Sequence, residues 1–178
     1  MVSLVVGGAA SGKSEYAEGL VLAAGGAPRI YIATMQPFDA ECRARIAGHR
    51  AMRAEKQFST IECYTGLAGA RLPQNAKELL ECLGNLAANE LYSPGGAGPQ
   101  AAGAIVGGVR ALAAQAQTLV IVSNEVCAGG RRYAGDTLRY LELMAEINRQ
   151  IAALADNVCE VVCGLPHYYK GGPGCANF

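Results

Sequence analysis

The chain has 178 residues, enough for one domain with a substantial core. Fifteen basic against fifteen acidic residues leave no net charge, which argues against a general nucleic-acid-binding surface. Half of the residues are apolar, yet no uncharged apolar run approaches the length of a membrane span, so no membrane insertion is expected. Nothing basic precedes the first apolar run, and no signal peptide is expected. Seven cysteines with no C-x-x-C pair fit buried free thiols in a reducing cytoplasm.

The chain opens with a strand-like run, Val2 to Val6, that passes directly into Gly7-Gly8-Ala9-Ala10-Ser11-Gly12-Lys13-Ser14. This is the phosphate-loop pattern G-x-x-x-x-G-K-[ST] in its strand–loop–helix setting. Gly7 and Gly12 permit turns that a side chain would block, and consecutive amides then form an anion nest at the start of the helix Lys13–Ala24. Lys13 is expected on the β- and γ-phosphates of a nucleoside triphosphate and the Ser14 hydroxyl on Mg²⁺.

Arg29–Ala33 reads as the next strand, and Asp39–Lys56 as a helix with Asp39 as its cap. That helix holds Arg43, Arg45, Arg50, Arg53 and Lys56 around His49. Arg45, His49 and Arg53 recur at four-residue spacing and share a face. Neighbouring guanidinium groups favour a neutral imidazole with a free lone pair, and they can stabilise phosphate charge. A solvated basic helix with an incidental histidine fits the same spacing.

Thr60–Cys63 and Leu79–Cys82 follow as strands. Glu62 has an acceptor pair suited to the donor edge of guanine. Glu81 at its strand end suits Mg²⁺, directly or through water, and a general base or a solvated carboxylate fits the same place. Leu83–Tyr92 and Gln100–Ala116 read as helices, separated by a flexible surface loop at Ser93–Pro99 that is not a domain linker. Thr118–Ser123 is an apolar strand of the kind covered on both faces, and Glu125 just beyond it is a metal partner, a general base or a solvated carboxylate. In the helix Asp136–Leu154, Leu141, Met144, Ile147, Ile151 and Leu154 form an apolar stripe. Val158–Cys163 reads as a last strand with Cys159 and Cys163 on one face, a spacing that is poor for a metal pair. His167 reads as a surface or rim residue. Strand and helix alternate throughout, which predicts an α/β fold: a mostly parallel sheet flanked by helices, of the P-loop NTPase, RecA-like type. One nucleotide-binding domain is expected over 1–170 and a flexible tail over 171–178. Ligands in such sheets sit beyond the carboxyl ends of the strands.

These residues resemble the bifunctional adenosylcobinamide kinase / adenosylcobinamide-phosphate guanylyltransferase family of cobalamin biosynthesis. The resemblance runs in order through the phosphate loop with Tyr16-Ala17-Glu18, then Tyr31-Ile32-Ala33-Thr34, Asp39-Ala40-Glu41, Arg45-Ile46, His49-Arg50, Thr60-Ile61-Glu62 and Leu79-Leu80-Glu81-Cys82-Leu83. It continues through Val122-Ser123-Asn124-Glu125-Val126, Asn148, Ala155-Asp156 and Gly164-Leu165-Pro166. It departs at Ala10, where arginine is usual, and over Cys127–Tyr133, where a G-x-G-I-V-P-E stretch is usual.

The resemblance implies phosphorylation of adenosylcobinamide by ATP or GTP, then GMP transfer from GTP to adenosylcobinamide phosphate through a GMP–histidine intermediate. By motif position that histidine is His49, with Arg50 and Arg53 as phosphate clamps. The resemblance also implies nucleotide contacts from Thr34, Met35 and Gln36, nucleotide or Mg²⁺ contacts from Glu62 and Glu81, and a homo-oligomer, a trimer among the options. A single-activity kinase or guanylyltransferase for another acceptor, or a GTP-binding sensor without catalysis, shares the phosphate loop. A histidine ringed by arginines favours the enzyme, since a sensor needs no nucleophile.

Overall fold

The structure is a computed structural model, and it describes residues 1–37, 43, 46–48, 55–126 and 133–172. Its centre is a seven-stranded sheet with strand order β3-β2-β4-β5-β1-β6-β7. The strands are β1 Val2–Gly7, β2 Arg29–Ala33, β3 Phe58–Glu62, β4 Lys77–Glu81, β5 Thr118–Asn124, β6 Asn157–Val162 and β7 Leu165–Lys170. Every strand pair is parallel except β6 with β7. The described helices are α1 Lys13–Ala23, α2 Leu83–Tyr92, α3 Ala101–Gln115 and α4 Gly135–Leu154.

The central strands are apolar on both sides because helices cover both faces. On one face, Val5, Leu79, Val120 and Val122 pack with Ala17 and Val21 of α1. On the other, Leu4, Ile32, Leu80 and Ile121 pack with Leu83, Ile105, Leu112, Met144 and Ile147 of α2, α3 and α4. This two-layer burial is what fixes the strand order and brings the carboxyl ends of β4, β5 and β1 side by side.

Several details differ from the sequence reading. The expected stripe of α4 is rotated: Leu143 is buried beside Met144, Ile147 and Ile151, while Leu154 is exposed. The reason is Ala155, which is buried just past the helix end and closes the stripe in place of Leu154. β4 begins at Lys77, earlier than expected, because two charged residues, Lys77 and Glu78, are buried in it. β7 was not expected at all. It is an exposed edge strand containing Pro166, and such strands lack a burial period. Cys163 is not on the face of Cys159: β6 ends at Val162, and Cys163 is exposed in a turn with φ 51°. The loop 93–99 is tied down through Ala97, whose amide donates to the buried Glu90 carboxylate at 2.9 Å. Gly172, near the start of the expected tail, donates its amide to Asn157 at 2.9 Å, and the rest of that tail, 173–178, lies outside the described residues. Among the described residues no helix is long and apolar enough to cross a membrane.

Candidate nucleotide site

The phosphate loop leaves β1 at Gly7 and enters α1 through Gly12, which caps the helix with φ 88° and no side-chain hydrogen bond. That conformation is one that only glycine adopts without strain. The amides of the first turn have no intrahelical acceptors and face the loop, as a phosphate site requires. At Gly7 a β-carbon would stand 2.5 Å from Ser11 Oγ and 2.8 Å from the Val161 carbonyl, so the loop closes only around glycine. Lys13 Nζ donates to the Gly8 carbonyl at 2.9 Å, folded over the loop it would serve.

Glu81 stands at the end of β4, and its carboxylate accepts a hydrogen bond from the Ser14 hydroxyl. The contact joins residues far apart in sequence across the β4-β5-β1 centre of the sheet. Burial pushes the neighbouring Cys82 thiol above its ordinary value, with Glu81 adding to the shift and Lys13 opposing it. Lysine, carboxylate and hydroxyl thus share one neighbourhood. Among the described residues no three histidine, cysteine or carboxylate side chains cluster as a metal cage. A serine hydroxyl beside one carboxylate suits Mg²⁺ instead, since that ion keeps waters and takes phosphate oxygens rather than an all-protein shell.

The remaining expected residues divide. Glu125 follows β5, and its amide donates to the Gly7 carbonyl at 3.0 Å, beside the loop. Glu62 and Glu81 both pair in register with Ala33, so they stand on opposite sides of β2. Glu62 is exposed and accepts from the Tyr64 hydroxyl at 2.8 Å. Thr34 is fully buried, and its hydroxyl is engaged with the backbone of Glu81 and Cys82. Met35 is half-buried, and the Gln36 amide donates to the Ser93 hydroxyl at 3.3 Å. Gly8, Ala9 and Ala10 form the outer turn, with Ala10 at φ 54°. Asp39, Arg45, His49, Arg50 and Arg53 lie outside the described residues. The end of their segment is anchored: Lys56 is paired with Glu18 of α1, and Arg29 donates to the Lys56 carbonyl at 3.2 Å.

Sequence reasoning missed two supports. The β6–β7 turn buttresses the loop, because the Gly164 amide donates to the Ser11 carbonyl at 2.8 Å. Tyr168 of β7 shares a hydrogen bond with Tyr16 of α1 at 2.7 Å. A cleft of about 630 Å³ runs beside this turn, lined by Gly12, Glu15, Tyr16, Lys56 and Gly164. The second support is Asn89, buried in α2, whose amide donates to the Thr34 carbonyl at 2.8 Å. An asparagine inside an apolar helix was the signal available for it.

Loop, sheet and carboxylate together define a P-loop nucleotide-binding protein. Consistent with that fold, the flagellar accessory protein FlaH from Methanocaldococcus jannaschii superposes with a TM-score of 0.51 at 12% identity, over 95% of this chain and 77% of that one. Residues 3–168 match the family described as cobinamide kinase / cobinamide phosphate guanyltransferase, and the chain belongs to that family. It is similar to the bifunctional adenosylcobalamin biosynthesis protein CobU of Salmonella typhimurium, 34% identical over 180 residues, 93% of this chain and 97% of that one. The corresponding protein CobP of Pseudomonas aeruginosa is 34% identical over 178 residues, 97% of this chain and 99% of that one. The chain is accordingly a transferase of adenosylcobalamin biosynthesis.

Proposed function

We propose that residues 1–170 work as one nucleotide-binding domain in which the phosphate loop serves the kinase step and His49 carries GMP in the second. The observation that carries the nucleotide assignment is the hydrogen bond from Ser14 to Glu81 at the mouth of a complete phosphate loop. Family membership supplies the acceptor.

In the kinase step the loop amides from Gly8 to Ser14 and the Lys13 ammonium hold the β- and γ-phosphates. Ser14 and Glu81 would hold Mg²⁺, which when bound offsets charge on the phosphate oxygens. The aminopropanol hydroxyl of adenosylcobinamide attacks the γ-phosphorus, and the nucleoside diphosphate leaves. ATP and GTP both satisfy this loop, since it addresses only phosphates. Glu125, whose backbone amide is anchored to Gly7, is the proposed acceptor of the hydroxyl proton.

In the second step a ring nitrogen of His49 attacks the α-phosphorus of GTP. An N–P bond forms, and the P–O bond to pyrophosphate breaks with the electron pair going to the leaving group. An oxygen of adenosylcobinamide phosphate then attacks the same phosphorus and releases the histidine. Arg50 and Arg53 clamp the phosphates, Glu62 accepts from the guanine edge, and Met35 and Gln36 border the nucleotide. The enzyme works in the cytoplasm as a homo-oligomer.

The test is to assay both steps separately in His49→Ala and Lys13→Ala. His49→Ala should lose guanylylation by at least a thousandfold and keep most of its phosphorylation. Lys13→Ala should lose phosphorylation by at least a hundredfold. Equal loss of both activities in His49→Ala would end the proposed division of labour.

A further inference from the structure

Thr34 and Asn89 sit behind the site and touch none of the expected phosphate positions, yet the Thr34 polar atoms and the Asn89 side-chain amide meet at one junction. Thr34 is fully buried and Asn89 nearly so. The Thr34 amide donates to the Glu81 carbonyl at 3.1 Å. Its hydroxyl lies 3.0 Å from the Glu81 carbonyl and 2.9 Å from that of Cys82, as donor. The same oxygen accepts the Cys82 amide at 2.8 Å. Asn89 closes the arrangement from α2 by donating to the Thr34 carbonyl at 2.8 Å.

The consequence is mechanical. β4 ends at Glu81, and α2 starts at Leu83 with Cys82 as its N-cap in extended conformation. The chain therefore changes from strand to helix within one residue of the carboxylate that meets Ser14. Past the end of a strand no ladder holds the backbone, and a carboxylate there is free to swing. Here the end of β2 supplies the missing ladder through a threonine hydroxyl, and α2 holds that threonine through Asn89. Buried hydrogen bonds of this kind rigidify because each lost partner leaves a desolvated polar group behind.

We propose that Thr34 and Asn89 are positioning residues that set the Glu81 carboxylate against Ser14 for the Mg²⁺-bound triphosphate. The inference rests on the reading of Ser14 and Glu81 as the metal partners. It assigns Thr34 to the orientation of Glu81 rather than to direct contact with nucleotide. Threonine suits the position because one hydroxyl both donates and accepts. Valine there keeps the shape and loses all three hydroxyl contacts.

The experiment measures nucleotide affinity by calorimetry with the full chain, with ATP in Mg²⁺ and with ATP in EDTA. The readout is the ratio of the two dissociation constants, the gain due to the metal. Glu81→Gln serves as reference, and Thr34→Val, Thr34→Ser and Asn89→Leu are the test variants, each checked for folding by its melting curve. Glu81→Gln should reduce the Mg²⁺ gain at least tenfold. Thr34→Val and Asn89→Leu should reduce it three- to tenfold while affinity in EDTA stays within twofold. Thr34→Ser, which keeps the hydroxyl, should restore it to within twofold of the parent.

A purely structural role would lower the melting temperature of Thr34→Val and Asn89→Leu and leave the Mg²⁺ gain intact, which would overturn the inference alone. An unchanged gain in Glu81→Gln would overturn the metal reading itself, and the inference with it. Should Thr34→Val fail to fold, Asn89→Leu against Thr34→Ser decides the same question.

Discussion

The carboxylates of this chain do different work because their surroundings differ by a few ångströms. Glu90 is buried but accepts amides of Gly66 at 2.7 Å and Ala97 at 2.9 Å, so its charge is compensated. Glu78 is fully buried in β4 between Ile30 and Leu119, and neither of its oxygens has a partner among the described residues. Burial pushes its carboxyl up to about 8. The folded protein therefore holds a proton on Glu78 that the unfolded chain releases near its ordinary value. Stability is fully present below pH of about 4.5, declines as pH rises, and levels off above the folded value near 8. The slope from this one group is on the order of 1.4 kcal/mol per pH unit within that window. Glu78→Gln should flatten the pH dependence of urea unfolding between pH 6 and pH 8, roughly the upper half of the window, and be the more stable protein at its upper end. Parallel curves for variant and parent would show that Glu78 is not held neutral.

Gly12 makes a separate demand. A β-carbon there would need a left-handed backbone and would stand 3.1 Å from Gly164 Cα in the supporting turn. Gly12→Ala is expected to weaken triphosphate binding roughly five- to thirtyfold, from strain of about 1–2 kcal/mol at the loop, with little change in the melting curve. Titration with a fluorescent triphosphate checks it, and unchanged affinity would remove the loop conformation from the account.

At the scale of elements, the sequence was legible wherever burial is periodic and opaque where it is not. β2 and α2 have the bounds read from sequence, because each begins and ends at a change in polarity. β7 has no such change: its residues are nearly all exposed, and its register on β6 shifts between Val158 and Cys159. The value of β7 and the turn before it lies in two contacts with distant elements, Gly164 to Ser11 and Tyr168 to Tyr16, which no local pattern announces. Burial and the bond to Tyr16 push the Tyr168 hydroxyl far above its ordinary value, so Tyr168 keeps its proton through physiological pH. Tyr168→Phe removes that bond and should cost about 1 kcal/mol, a fall of roughly 2–4 °C in melting temperature for a chain of this size. A differential scanning calorimeter resolves the shift, and no change would mean the hairpin is held by its ladder alone.

At the scale of the whole molecule, the strand order is what turns a short motif into a site. The phosphate loop was plain in the sequence, as were Ser14 and Glu81 as separate candidates. Their meeting depends on β5 inserting between β4 and β1, a long-range choice made by packing on both faces of the sheet. The role of Thr34 was hidden for the same reason: a threonine after a strand looks exposed until α2 is laid over it. His49, like Arg50 and Arg53, rests on motif order rather than on packing, so the division of chemistry between Lys13 and His49 needs a test of its own. Intact-protein mass spectrometry after incubation with GTP and Mg²⁺, with His49→Ala alongside, tests it most directly. A GMP-sized increase should appear on the parent, be absent from the variant and disappear when adenosylcobinamide phosphate is added. No adduct on the parent under conditions where GTP binds, or an adduct that persists in His49→Ala, would contradict it.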